Sequence, residues 1–422
     1  MSALLALLST LLAAFAMSQK PGLDPASAAR EDVLSAGFFT WTVRTELGTE
    51  RGSVGKAQLA ALPNARVEPG RDGLRFAPVG TGESELAWVE LPPLDAPPFR
   101  DVVCSWNARV PPGAGVSFDL RVAGETGAWS PCLHVGDWGE PVPGERALSF
   151  DGGKVDVDAF TGERVFGRVQ LRVRAACAKP DAGREEKRDA DAARAAVEPV
   201  VLERVSVCVS DREADAEAVF AAWNEKHRGV GCVPAGGTEP AHPGRGVALD
   251  VPFRSQKSED PSIASRICSP TSLAMVLAYR GVDVPTAEVA RLCYDAEHAL
   301  YGNWTRAIQG AFTLGVPGYL TRFGGWRDVE RTLARGQPLV ISIGVKRGQL
   351  SGAPYTSTNG HLIVLRGFDK NGDCLVNDPA ATDEKHGRRT YSRSELDTCW
   401  IQRGGTAYVL LPPSASAAPR PR

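Results

Sequence analysis

Two stretches decide how this chain is read: Arg266–Leu277, RICSPTSLAMVL, and Gly360–Pro379, GHLIVLRGFDKNGDCLVNDP. In the first, Cys268 stands at the start of a helical pattern whose first turn holds Pro270. Proline is tolerated there because its missing N–H would have no partner in the helix anyway. Leu273, Val276 and Leu277 predict a buried stripe on that helix. A thiol at a helix N-terminus faces unpaired N–H groups and the positive end of the dipole, and both stabilise a thiolate. The competing reading of Cys268 is a small buried core residue.

The second stretch reads as strand, tight turn at Asn371-Gly372, strand. His361 opens the first strand and Asp378 closes the second. Regular pairing about that turn sets His361 opposite a position beyond Asp378, so the two side chains meet only if the hairpin bulges or twists. A carboxylate beside an imidazole fixes its tautomer and stabilises the imidazolium. Asn377 is the alternative orienter. Asp369, Asn371 and Asp373 mimic the start of a calcium loop, but Ala380 stands where that loop needs Glu, which favours a plain turn. A helix-borne Cys followed by a strand-borne His and an Asp is the papain-type order. Upstream, in VPFRSQ (251–256), Gln256 offers an amide that could share an oxyanion hole with the N–H of Cys268.

Working outward, the chain has 422 residues, a prior for two or three domains. Its 48 Lys and Arg against 50 Asp and Glu give a net charge of -2, which excludes a strongly basic nucleic-acid binder. From about 31 to 210 the apolar period is two. Val116, Phe118 and Leu120 alternate with polar residues, and so do Val169, Leu171 and Val173. Val201, Val205, Val207 and Val209 share one parity, with Glu203 between them. Half-buried strands between Gly, Pro and Asp clusters predict an all-β sandwich over 31–210. Its Trp residues (41, 88, 106, 129, 138) are expected in the sandwich core, and Asp156 and Asp158 are read as edge-strand charges. The charged, Ala-rich segment 178–198 reads as an inserted loop. Helical spacing at Ala216, Val219, Phe220 and Trp223 and a Gly/Pro-rich stretch make 211–246 a helix and linker. A second domain spans 247–411, and the tail 412–422 reads as disordered by composition.

Residues 1–16 carry a short apolar run ending in Ala14-Phe15-Ala16, which predicts a secretory signal peptide and a secreted or periplasmic protein. Residues 17–30 read as a flexible leader. No apolar run long enough for a membrane helix follows, so no stable membrane insertion is expected after cleavage. The nine Cys are odd in number, so at least one thiol stays free or pairs between chains. Proximity suggests Cys177 with Cys208 and Cys374 with Cys399; buried, reduced thiols are the alternative.

The second domain resembles the peptidase-like family related to the double-glycine leader (bacteriocin-processing) cysteine peptidases, within the papain-like fold. The resemblance covers roughly residues 249–411: VPFRSQ, CSPTSLAMVL, the YGNW of Tyr301–Trp304, GQPLVISI and GHLIVLRGFDKNGDCLVNDPA. It implies Cys268 as nucleophile, His361 as base, Asp378 as orienter and Gln256 in the oxyanion hole. Two departures stand out. Ser269 follows the Cys where the family usually has Gly, and the spacer from Gln256 to Cys268 is long. The segments Ser105–Ala108, Pro111–Gly113 and Trp129–Trp138 are similar to the β-sandwich that precedes this domain in some secreted bacterial proteins.

The expectation is therefore a multidomain chain, an N-terminal all-β sandwich followed by an α+β papain-like cysteine peptidase domain, acting on a peptide or protein without metal or organic cofactor and without a nucleic-acid partner. The alternatives are a catalytically silent protein whose sandwich binds a cell-surface polymer or polysaccharide, and an acyl transferase using the same triad.

Overall fold

The computed structural model describes residues 38–42, 67–70, 73–76, 86–176, 198–215, 218–219, 222–223 and 244–413. The expected signal peptide, leader, inserted loop, most of the linker and all but the first residues of the tail lie outside the described residues. Helical backbone at 218–219 and 222–223 falls inside the stretch read as helical. Among the described residues no helix is long and apolar enough to cross a membrane.

The N-terminal unit is built from β1 (Phe38–Thr42), β2 (Val67–Gly70), β3 (Gly73–Phe76), β4 (Leu86–Glu90), β5 (Leu94–Arg109), β6 (Gly115–Ala123), β7 (Leu133–Gly139), β8 (Ser149–Phe150), β9 (Gly153–Asp156), β10 (Ala159–Ala176) and β11 (Val200–Ser210). All are joined in one antiparallel hydrogen-bonded network. Strand β10 explains how one network makes two layers. Its first half pairs with β5 and β9 and its second half with β6 and β4, with register shifts between. Such bulges let a long strand bend from one layer into the next. Trp106 of β5 stacks on Phe118 of β6 at 3.8 Å although these strands do not pair, so the two layers meet face to face around a shared core.

Two expectations about these strands are corrected. The parity of β11 changes at Glu203, where a register shift inserts one residue between Leu202 and Arg204. Val200 and Leu202 therefore join Val205, Val207 and Val209 in the core, and Val201 does not. Strands β5 and β11 are also not half-buried: Val103, Ser105, Asn107, Ser206 and Cys208 are buried on the opposite face. That face is covered by the C-terminal unit.

The C-terminal unit has α1 (Cys268–Tyr279), α2 (Thr286–Cys293), α3 (Trp304–Thr313), β12 (Gly318–Arg322), α4 (Trp326–Ala334), β13 (Leu339–Val345), β14 (Thr358–Phe368), β15 (Cys374–Asn377), α5 (Glu384–Gly387), β16 (Arg388–Tyr391), α6 (Arg393–Cys399) and β17 (Thr406–Leu410). Its six-stranded sheet runs β12-β17-β13-β14-β15-β16. Helix α1 is not striped as expected: Ser269 through Leu277 are all buried, because the sheet lies on one side and α2 and α3 on others. An α-helix enclosed on all sides must satisfy its polar side chains internally. Ser272 donates to the Leu362 carbonyl, Thr271 to the Ile267 carbonyl, and Ser269 pairs with the Tyr408 hydroxyl.

The two units are joined through the outer edge of β12, whose free N–H and C=O groups would otherwise invite pairing with another chain. Side chains of the sandwich replace the missing strand. Asn107 donates to the Gly318 carbonyl and accepts its N–H, Ser105 accepts the N–H of Leu320, and Cys208 accepts that of Arg322. Gln309 of α3 brackets Ala108 in the same way. Asp158 is not an exposed edge charge. It is buried and caps α3 by accepting the N–H of Trp304. Cys374, Cys399 and Cys208 are all free thiols, so the pairing of Cys374 with Cys399 is not formed; Cys177 lies outside the described residues. Cys374 packs in the sheet core and Cys208 is engaged with β12.

Candidate active site

Cys268 is the first residue of α1, with Ile267 at the cap position and no side-chain cap. Its thiol lies within electrostatic reach of His361 and of the backbone N–H groups of Leu362 and Ser269. Burial pushes this thiol up. His361 and those two N–H groups outweigh burial and hold it below its ordinary value. Burial likewise pulls the imidazole of His361 down, but Asp378 and Cys268 overcome it and push the group up to about 10. Each group thus favours the charged form of the other.

The hairpin explains how Asp378 reaches His361. Near the turn Phe368 opposes Cys374 and Gly367 opposes Leu375. Past a bulge at Arg366, Leu365 opposes Val376 and Val364 opposes Asn377. Without the extra residue the two-residue period would put Asn377 on the His361 face of the sheet. With it, Asp378 takes that face. Gly367 is needed beside the bulge, because a Cβ there would sit 2.0 Å from the Val247 carbonyl oxygen. Asn377 turns the other way and donates to the Val251 carbonyl at 3.0 Å.

His361 Nε2 lies 2.9 Å from Asp378 Oδ1, which leaves Nδ1 as the ring nitrogen for the thiol. Asp378 Oδ1 also accepts the Ala380 N–H at 3.0 Å. Its Oδ2 accepts from Tyr391 Oη at 2.8 Å and Tyr355 Oη at 3.0 Å. Burial raises the Asp378 carboxyl, and the hydrogen bond and charge of His361, the Ala380 N–H and the Tyr391 hydroxyl bring it below the usual range. The structure thus brings Cys268, His361 and Asp378 into one connected cluster.

Residues 248–408 match the profile of the Peptidase C39 like family, and residues 64–184 match the Peptidase C39 N-terminal domain. The chain carries a C39-like domain behind a C39 N-terminal domain. A solved structure of a double glycine motif protease from an AMS/PCAT transporter, in complex with the leader peptide, is 22% identical, covers 39% of this chain and 94% of its own, and has a TM-score of 0.28. No curated protein matches the chain.

Gln256 of the C39-like domain opens a 3-10 turn, Gln256–Ser258. Its backbone N–H binds the Pro379 carbonyl, which ties it to the residue after Asp378. Its Nε2 donates one N–H to the Ala264 carbonyl at 2.8 Å, four residues before Cys268, and its Oε1 is buried without a partner. The long spacer therefore folds back on itself at Ala264, and Gln256 is tied to the residue after Asp378. Ser269, where Gly is usual, is accommodated by its bond to Tyr408 Oη at 3.0 Å. Asn303 caps α3 at the Arg306 N–H, and Trp304 packs against the helical core. Tyr355 and Tyr391 gave no sequence signal. They lie in a loop and on β16, and only the folded sheet shows that both converge on Asp378.

Proposed function

We propose that this protein is an exported cysteine peptidase that hydrolyses peptide bonds with Cys268, His361 and Asp378. The observation that carries the reading is the His361 ring, bound through Nε2 to Asp378 and within electrostatic reach of the Cys268 thiol, which opens a helix in a C39-like domain.

In the proposed reaction Cys268 Sγ attacks the peptide carbonyl carbon, and the carbonyl π electrons move to oxygen. The N–H of Cys268 and the second amide N–H of Gln256 hold that oxyanion. His361 gives its proton to the amide nitrogen as the C–N bond breaks, leaving a thioester and a free amine. Water then attacks the thioester and gives a proton to His361. The thiolate departs and the acid product is released. Asp378 keeps the imidazole in the required orientation throughout. Export rests on the signal-like residues 1–16.

Incubation of the protein with a mixed peptide library, read by mass spectrometry, tests the proposal. Wild type is expected to release new amino and carboxyl termini, and Cys268→Ser is expected to release none. Cleavage that survives Cys268→Ser overturns it, as does a Cys268 that iodoacetamide fails to label near pH 6. A product carrying an added amine in place of water assigns the same residues to acyl transfer.

A further inference from the structure

We infer that Tyr355 is a positioning residue that clamps the His361–Asp378 bond from the solvent side, and that the loop carrying it holds the imidazole in its working orientation. This rests on the catalytic reading above. Tyr355 touches both members of the pair. Its hydroxyl donates to Asp378 Oδ2 at 3.0 Å, and its ring meets the His361 ring edge-to-face, with centroids 4.8 Å apart and planes at 70°. Edge-to-face contact restricts rotation of the imidazole about its own bond, which a hydrogen bond to one nitrogen does not do alone.

The position of Tyr355 in the chain separates it from Tyr391. Tyr391 belongs to β16, is fully buried in the sheet core and donates to the same Oδ2 at 2.8 Å. Oδ2 is thus already satisfied from the core side, and Tyr355 adds a second donor from outside. Tyr355 sits on residues 346–357, between β13 and β14. The first half of this loop is pinned by Leu350 in the core and by Ser351 on Glu395. In the second half the flanking residues Gly352, Pro354, Thr356 and Ser357 are exposed, and Tyr355, with the small Ala353, packs inward against the sheet core. The groups facing His361 are the Cys268 thiol from α1, Asp378 beyond β15 and Tyr355 from this loop; Tyr391 of β16 reaches the cluster through Asp378. Removing the Tyr355 ring admits water to Asp378 and weakens the coupling that keeps the imidazole protonated.

Alkylation of Cys268 by iodoacetate, followed by site-resolved peptide mapping, reads this without a substrate. The anionic reagent reacts fastest while a thiolate faces an imidazolium, so the rate against pH is bell-shaped. The acid limb reports Cys268 and the basic limb reports His361. Tyr355→Ala is expected to narrow the bell by moving the basic limb down about one pH unit. Tyr355→Phe, which keeps the ring and folds with minimal disturbance, is expected to retain at least half of the lost width. A wild-type bell that both variants reproduce overturns the inference alone. A wild type without a bell overturns the catalytic reading and the inference with it.

Discussion

Two carboxylates of this protein are withdrawn from water almost equally, Asp378 at 0% and Asp158 at 7% exposure, yet they titrate on opposite sides of an ordinary aspartate. Burial pushes Asp158 up, and the N–H groups of Trp304 and Thr305 and the charge of Arg322 only partly offset it, leaving it at about 6. Asp378 suffers the same burial but is held below the usual range, chiefly by a hydrogen-bonded imidazolium. Neutral N–H donors at a helix end do not replace a cation in direct contact. The contrast separates the two regions. The C39-like site concentrates charge on a few mutually bonded groups, whereas the junction with the N-terminal unit combines neutral hydrogen bonds along β12 with a looser buried ion pair, Arg322 with Asp101 at 3.6 Å.

The largest expected effect comes from neutralising the favoured carboxylate. Asp378→Asn keeps the shape but removes the charge that stabilises the imidazolium. Activity of the proposed peptidase is expected to fall by roughly 10²–10⁴-fold, and the thiolate of Cys268 is expected to appear only at higher pH. Turnover and alkylation profiles check both. The pH limits have defined signs. His361 is raised above its unfolded value of about 6.5, so its contribution to stability is complete below that pH and is lost as pH rises through about 10. Asp378 is lowered, so its contribution is present above about pH 4 and is lost as pH falls through its folded value.

The same substitution at the other carboxylate is expected to act in reverse. Between its unfolded value of about 3.9 and its folded value of about 6, Asp158 makes the folded protein bind more protons than the unfolded one, so stability falls as pH rises through that window, by about 3 kcal/mol in total. Asp158→Asn removes that slope and still offers an acceptor to the α3 N-terminus. Thermal unfolding of both proteins from pH 4 to 7 checks it. The variant gains on wild type as pH rises, and parallel curves would refute the account.

These two carboxylates also show how much of the molecule was legible. Cys268 at a helix start and His361 and Asp378 on one hairpin were readable because backbone period and turn chemistry are local. The need for a bulge followed from counting residues about Asn371-Gly372, but its place at Arg366 did not, because the close approach of Val247 to Gly367 is tertiary. Glu203 misled for the same reason, since one inserted residue reversed the parity of β11. Asp158 read as an edge charge because nothing local says that a helix from another unit will sit on it. Tyr355 and Tyr391 were invisible because hydroxyls reach Asp378 from separate elements. Composition and period gave the two-unit plan; contacts between units were beyond them.

The neutral hydrogen bonds of the junction give the next effect. Asn107 satisfies both the N–H and the C=O of Gly318 on the β12 edge. Asn107→Ala leaves two buried backbone groups without partners and is expected to cost about 2–4 kcal/mol, read by denaturant unfolding. A loss under about 1 kcal/mol would mean that water enters and replaces the amide.

The smallest effect is expected where the junction uses exposed charge. Arg146 bridges Asp137 of the sandwich and Glu297 before α3, both at 2.7 Å, and forms an exposed ion pair between the units, in contrast to the buried pair of Arg322 with Asp101. Its side chain is 33% exposed and that of Glu297 59%, so water screens the pair and holding two long side chains in place costs entropy. Arg146→Ala is expected to change stability by less than about 0.5 kcal/mol and to leave the iodoacetate profile of Cys268 where it was. A larger loss, or a shifted profile, would show that Glu297 carries strain from the sandwich into the loop that holds Arg266 at the Ala299 carbonyl, two residues from the thiol. The junction would then belong to the site electrostatically, and the contrast between the two carboxylates would describe one coupled region rather than two.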